Sequence, residues 1–159
     1  MPPFKTARAL ALLVPAGLLA GAWGSQLFGH LYPCEMCHWQ RWPHYFALVV
    51  ALLAFAPGTP PKLQRALVVL AGLAIATSGA IGVAHAGVEY HWWRGFTLCT
   101  STASGSGDLL DQLMKAPVIR CDVAQWTLFG VSLAGFNALI SLSGAAAIGY
   151  FLSRREPAV

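Results

Sequence analysis

Residues 9–28 read ALALLVPAGLLAGAWGSQLF, twenty positions without one charged side chain. At a helical rise of about 1.5 Å per residue, such a run spans about 30 Å, the thickness of a bilayer's hydrocarbon core. Three more apolar runs follow, at about 37–56 (with Arg41 near its start), 66–86 (interrupted only by His85 near its end) and 126–152, the last long enough to tilt or reach the interface. Composition agrees: 57% of residues are apolar and 10% charged, against roughly 25% charged in soluble proteins. So few charges could not cover a soluble domain of this size, whereas a lipid-facing surface must itself be apolar. The sequence therefore predicts one all-α integral membrane domain over residues 1–159, an antiparallel bundle of four transmembrane helices.

The connections fix an orientation. Lys5 and Arg8 precede the first run, Lys62 and Arg65 lie in the Pro- and Gly-rich turn PGTPPKLQR (57–65), and Arg154 and Arg155 follow the fourth. Basic residues concentrate on cytoplasmic loops, so both termini and this turn are expected in the cytoplasm. The loops at about 29–36 and 87–125 then face outward, and they hold all four cysteines. The formal net charge of +4 comes from short basic groups between apolar runs, a pattern of membrane orientation and not of a nucleic-acid surface. Lys5 and Arg8 before an apolar run also resemble a secretory signal, but the run exceeds the 7–15 residues of a signal core, so an uncleaved helix is expected. In the longer loop, DLLDQLMK (108–115) puts Leu109, Leu110, Leu113 and Met114 on one helical face, suited to the membrane surface or to packing within the loop. Trp39, Trp42, Trp92, Trp93 and Trp126 fall near the outer boundary and read as an aromatic belt. Gly72, Gly79, Gly82, Gly130, Gly135 and Gly144 are candidates for close helix packing.

Cys34 and Cys37 form a Cys-x-x-Cys unit, CEMC, directly after Pro33, a residue suited to a helix opening. A helix N-terminus stabilises a thiolate through its free N–H groups and dipole. Cys34, Cys37 and Arg41 follow i, i+3, i+7 spacing, so one helical face carries all three, and a nearby guanidinium favours the thiolate further. The pattern favours a reactive pair over a structural bridge, which an oxidising compartment would also allow. Cys99 and Cys121 flank the Ser-, Thr- and Gly-rich segment 100–120; such a loop can present a second pair both to an external partner and to the membrane-proximal pair. Four cysteines permit three pairings. CEMCH also matches the haem-attachment pattern Cys-x-x-Cys-His, but it runs straight into an apolar span and would leave Cys99 and Cys121 without a role. A zinc site lacks the usual paired spacing. No metal is expected.

CEMCHWQR (34–41), HAGVE (85–89) and RCDVAQWTLFGVSLAGFNAL (120–139) together resemble the DsbB family of quinone-coupled, disulfide-forming membrane proteins. The resemblance covers four spans, two outward loops and a cysteine pair in each. It implies an enzyme of the bacterial inner membrane, a protein-dithiol:quinone oxidoreductase. A periplasmic thioredoxin-like oxidant of the DsbA type would attack a Cys99–Cys121 disulfide at Cys99, and Cys121 would exchange with Cys34. Cys37 would be left facing ubiquinone or menaquinone, with Arg41 binding the quinone and His85 near the same pocket. The DsbA–DsbB–quinone system is the general route that keeps the bacterial periplasm oxidising. Two other readings compete: a four-helix quinone reductase of the vitamin K epoxide reductase type, and a non-enzymatic scaffold stapled by disulfides.

Overall fold

The computed structural model describes residues 2–94 and 120–154. Four long helices run antiparallel: α1 (Pro3–Leu27), α2 (Glu35–Ala54), α3 (Pro61–Glu89) and α4 (Leu133–Ser153). Among the described residues α1, α3 and α4 are long and apolar enough to cross a membrane. The second helix is not in that group because its first half carries Glu35, His38, Gln40, Arg41 and His44.

Local sequence explains the helix starts. Pro3 and Pro61 open α1 and α3, where a missing N–H costs nothing and φ is already helical. Cys34 caps α2, its Sγ accepting from the Cys37 N–H at 3.3 Å. Ser132 caps α4, its Oγ accepting from the Gly135 N–H at 3.1 Å.

The apolar run that begins at Trp126 does not become helix at once. Thr127–Leu128 (β1) and Val131–Ser132 (β2) pair antiparallel, with Thr127 opposite Ser132 and Leu128 opposite Val131. Phe129 and Gly130, at φ 51° and 77°, form the turn. Positive φ at both central residues suits a two-residue hairpin, because that turn matches the strand twist. The all-α expectation thus holds for the bundle, and a small hairpin precedes α4. Tyr90, at the end of α3, fastens the hairpin by donating to the Gly130 carbonyl at 3.0 Å and accepting from the Ser132 N–H at 2.9 Å.

Helix α3 packs chiefly on α2 and α4, while α1 lies against α4 and α2. The core is built of small residues, Ala7, Ala11, Ala47, Ala51 and Ala71 among them, with Val68, Ile75 and Ile148. Small side chains allow the close helix approach on which association in lipid depends. Three of the candidate glycines sit in the α3–α4 seam with backbone or core atoms directly opposite: a Cβ on Gly82 would lie 3.0 Å from the Ala138 nitrogen, one on Gly79 3.0 Å from Ser141 Cβ, and one on Gly72 3.3 Å from Ile148. Gly130 instead serves the hairpin turn. Leu13, Phe46, Val49, Leu73 and Leu139 are all more than half exposed, whereas Gln40, Arg41, His44, Ser78 and His85 are buried. Polar inside and apolar outside is the arrangement a bilayer selects.

The two ends of the bundle differ. At one, Arg8 donates to the Ala54 carbonyl and to Gln64 Oε1 (3.4 and 3.2 Å), Arg65 donates to the Leu152 carbonyl, and Lys62, Arg65 and Arg154 line a common pocket. At the other end lie Cys34, Cys37 and Cys121. Cys99, Arg155 and the segment 108–115 lie outside the described residues.

Candidate redox site

The first turn of α2 carries the cysteine pair. Cys34 donates its S–H to the Cys37 sulfur at 2.9 Å, and neither residue is disulfide-bonded. That hydrogen bond to Cys37, followed by burial, holds the Cys34 thiol above the ordinary thiol range. Cys121 is disulfide-bonded. It shares a buried cluster with Cys34, Met36 and Val88. Loop contacts keep it there: Gln125 Nε2 donates to the Tyr32 carbonyl at 2.6 Å, joining the second loop to the first. Beside Cys121, the Arg120 guanidinium grips Asp122 through two bonds of 2.9 and 2.6 Å and keeps its carboxyl below the usual carboxylate range.

His85, near the end of α3, reaches the same place from the other side. Its Nε2 lies 3.5 Å from Cys34 Sγ and 3.7 Å from Glu89 Oε1, and its ring bonds to the Cys121 backbone. The tautomer follows from backbone carbonyls, which can only accept. Gln40 Nε2 donates to the Met36 carbonyl at 3.2 Å, which fixes the amide, and so it donates to His85 Nδ1 at 2.8 Å. His85 Nδ1 is therefore the acceptor and Nε2 carries the proton, with Cys34 Sγ, Glu89 Oε1 and the Cys121 backbone as its surroundings. Cys34, Cys37 and His85 bring their donor atoms within 4.8 Å of one another.

On the opposite side of the pair, a cavity of about 300 Å³ opens between α1, α2 and α4. Gly17, Leu18, Leu19, Phe136 and Ile140 give it an apolar wall, and Cys37, Gln40, Arg41, His44 and Asn137 form its polar side. Arg41 is braced against α1, donating to Gln26 Oε1 at 2.8 Å and to the Ala22 carbonyl at 3.1 Å, with Trp23 5.5 Å below its guanidinium. Arg41 and Cys37 thus share the cavity, as their spacing predicts. His85 does not line it; it lies in a cleft of about 40 Å³ with Cys34, Glu89 and Arg120.

A buried polar network that the sequence reading did not single out connects the two sides. Asn137 Nδ2 donates to Gln40 Oε1 at 2.9 Å and to the Ser78 carbonyl at 3.1 Å. Ser78 Oγ donates to the Gln40 carbonyl at 2.7 Å. His44 Nε2 and Ser141 Oγ both donate to Asn137 Oδ1, at 2.9 and 3.1 Å. The available signal was polar residues inside apolar spans at i, i+4 spacing, Gln40 with His44 and Asn137 with Ser141, since such residues are costly in lipid and face a bundle interior.

A helical bundle with an apolar exterior, holding a dithiol of one buried and one half-buried cysteine between a disulfide and an apolar cavity, defines a membrane thiol–disulfide protein. The family model described as Disulfide bond formation protein DsbB matches residues 4–151, and the chain belongs to the DsbB family. It is a membrane protein of disulfide-bond formation. No curated protein and no solved structure gave a match.

Proposed function

We propose that the protein oxidises a periplasmic DsbA-type partner and delivers the electrons to a membrane quinone, crossing the bacterial inner membrane four times with both termini in the cytoplasm. The observation that carries this reading is the position of Cys34 and Cys37, with Cys121 in the same buried cluster on one side and the apolar cavity on the other. In the relay, a partner thiolate attacks Cys99 of a Cys99–Cys121 disulfide and releases the Cys121 thiolate. Cys121 then attacks Cys34 of a Cys34–Cys37 disulfide, and Cys37 leaves as the thiolate at the cavity. The second partner thiol closes the partner's own disulfide and frees Cys99, which displaces Cys34 and restores Cys99–Cys121. A dithiol at Cys34 and Cys37 beside a disulfide at Cys121 is the redox state this sequence reaches before the acceptor acts.

The residues lining the cavity fit a flat apolar dione: lipid-like walls, with a thiol, a guanidinium and an imidazole on one side. A quinone bound there, ubiquinone or menaquinone, would accept two electrons and two protons and leave as quinol. Arg41, held in place by Gln26 and Ala22, presents fixed positive charge where negative charge develops. His85 acts on the far side, its Nε2–H supporting charge on Cys34 during exchange. The test is quinone reduction by purified protein with a reduced DsbA-type partner. Wild type should turn over, and Cys37→Ser and Cys99→Ser should each fall to background. Turnover in either variant would remove that cysteine from the relay, and no turnover in folded wild type would overturn the reading.

A further inference from the structure

Gln40 is a buried amide with every polar atom of its side chain committed. Its Nε2 donates to the Met36 carbonyl at 3.2 Å and to His85 Nδ1 at 2.8 Å, and its Oε1 accepts from Asn137 Nδ2 at 2.9 Å. Neither amide can turn over, because the Met36 carbonyl only accepts and Asn137 Nδ2 also faces the Ser78 carbonyl. The imidazole in front of Gln40 is therefore held in one tautomer, with its proton on Nε2. His85 also bonds to the Cys121 backbone. With Nδ1 filled by Gln40, Nε2–H is the group left for that bond, and the atom that receives it is the carbonyl oxygen, the backbone's one acceptor. Glu89 Oε1, at 3.7 Å, is beyond hydrogen-bond range of the same nitrogen, and Cys34 Sγ, at 3.5 Å, is a weak acceptor.

We infer that Gln40 and His85 form a clamp on the backbone of Cys121, and that Gln40 is a positioning residue for the exchange between Cys121 and Cys34. The inference rests on the relay reading and goes beyond it by naming what holds the second-loop cysteine in place. A disulfide forms only when its two Cα atoms stand about 4.4–6.8 Å apart, so a loop cysteine left to drift would seldom be in range. A hold on the carbonyl fixes the main chain of Cys121 while its side chain stays free to turn about Cα–Cβ. That freedom is what the relay asks of it. The Cys121 thiolate, released from Cys99, forms a bond to Cys34 Sγ, and Cys37 departs with the electron pair of the broken Cys34–Cys37 bond. Cys121 shares a buried cluster with Cys34, and the N–H that holds it stands 3.5 Å from Cys34 Sγ. The opposite tautomer would turn a bare lone pair toward the Cys121 carbonyl and repel it, and the Gln40 amide prevents that.

The test uses the full-length protein in mild detergent with Cys37→Ser and Cys99→Ser, so that Cys34 and Cys121 can bond only to each other or to glutathione. Equilibration in buffers of reduced and oxidised glutathione, then alkylation and mass spectrometry, gives the effective concentration of one thiol at the other. Each Cys34–Cys121 bond consumes one oxidised glutathione and releases two reduced ones. His85→Phe should lower that concentration about tenfold, the effect of losing one buried hydrogen bond, and His85→Gln should recover part of it through its amide N–H. Gln40→Leu should lower it as well, and should change nothing further when added to His85→Phe, because it acts through the ring. Imidazole nitrogen shifts, measured by NMR on the protein without substitutions, should place the His85 proton on Nε2. A proton on Nδ1, an effective concentration that His85→Phe leaves unchanged, or a Gln40→Leu effect that persists in full beside His85→Phe would each overturn the inference. A Cys34–Cys121 bond that forms at no glutathione ratio, in protein that keeps its fold, would instead overturn the relay reading, and this inference with it.

Discussion

Asn137 uses both amide hydrogens and its oxygen inside the bundle, joining Gln40 and His44 of α2, Ser78 of α3 and Ser141 of its own helix. In lipid, an interhelical hydrogen bond contributes about 0.6 kcal/mol on average and up to about 1.7. Because Asn137 serves several partners at once, Asn137→Leu should cost about 1–3 kcal/mol, the larger value reflecting buried groups left unpaired. The check is reversible unfolding by anionic detergent, run as a double-mutant cycle with Gln40→Leu. A coupling near zero would mean that Gln40 and Asn137 do not bond in the folded protein. None of these residues was legible as a site from sequence. Taken singly, Gln40, Ser78 and Asn137 are polar residues in apolar runs, and only packing three helices together reveals that their donors and acceptors match. Cys34, Cys37 and Arg41 were legible because two turns of one helix are enough to bring them to one face.

At the scale of the helices, the glycines separate into those that permit packing and those that do not. A Cβ on Gly82 would meet the backbone of α4, 3.0 Å from the Ala138 nitrogen and 3.1 Å from the Ala134 carbonyl, whereas one on Gly17 would meet nothing within 4 Å. Backbone cannot rotate away as a side chain can, so Gly82→Val should cost about 1–3 kcal/mol through overpacking. Gly17→Ala should leave stability unchanged or raise it by up to about 1 kcal/mol through helix propensity. Thermal melts in detergent should rank Gly17→Ala above wild type or level with it, and Gly82→Val well below; the reverse order would mean that α3 and α4 do not meet at Gly82. Charge-free length announced α1 and α3 from the sequence. The hairpin before α4 did not announce itself, because its turn is Phe129-Gly130 and not one of the Asn-Gly or Asp-Gly pairs that mark such turns. TLFGVS reads as more apolar helix until Tyr90 and Ser132 are seen to hold it as a strand pair.

For the molecule as a whole, the basic groups and the described cysteines lie at opposite ends, an arrangement that suits the proposed relay. Arg8, Lys62, Arg65 and Arg154 gather at one end of the bundle, and Cys34, Cys37 and Cys121 with the cavity occupy the other. The cavity is lined by residues 17–25 of α1, 37–44 of α2 and 133–140 of α4, all in the halves nearer the cysteines. In the proposed relay, thiols arrive from the aqueous exterior while a lipid-soluble acceptor arrives from the bilayer, and no charge has to cross the hydrocarbon core between them. The proposed relay requires the basic end to be cytoplasmic, the side on which positive residues flanking short loops concentrate. A green fluorescent protein fused after Val159 should therefore fluoresce, and alkaline phosphatase inserted within residues 100–107 should be active, since each reporter works on only one side of the membrane. Fluorescence lost at the C-terminus together with an inactive loop phosphatase would invert the topology. The cysteines would then face a reducing cytoplasm, where a relay that makes disulfides would run against the prevailing thiol pool.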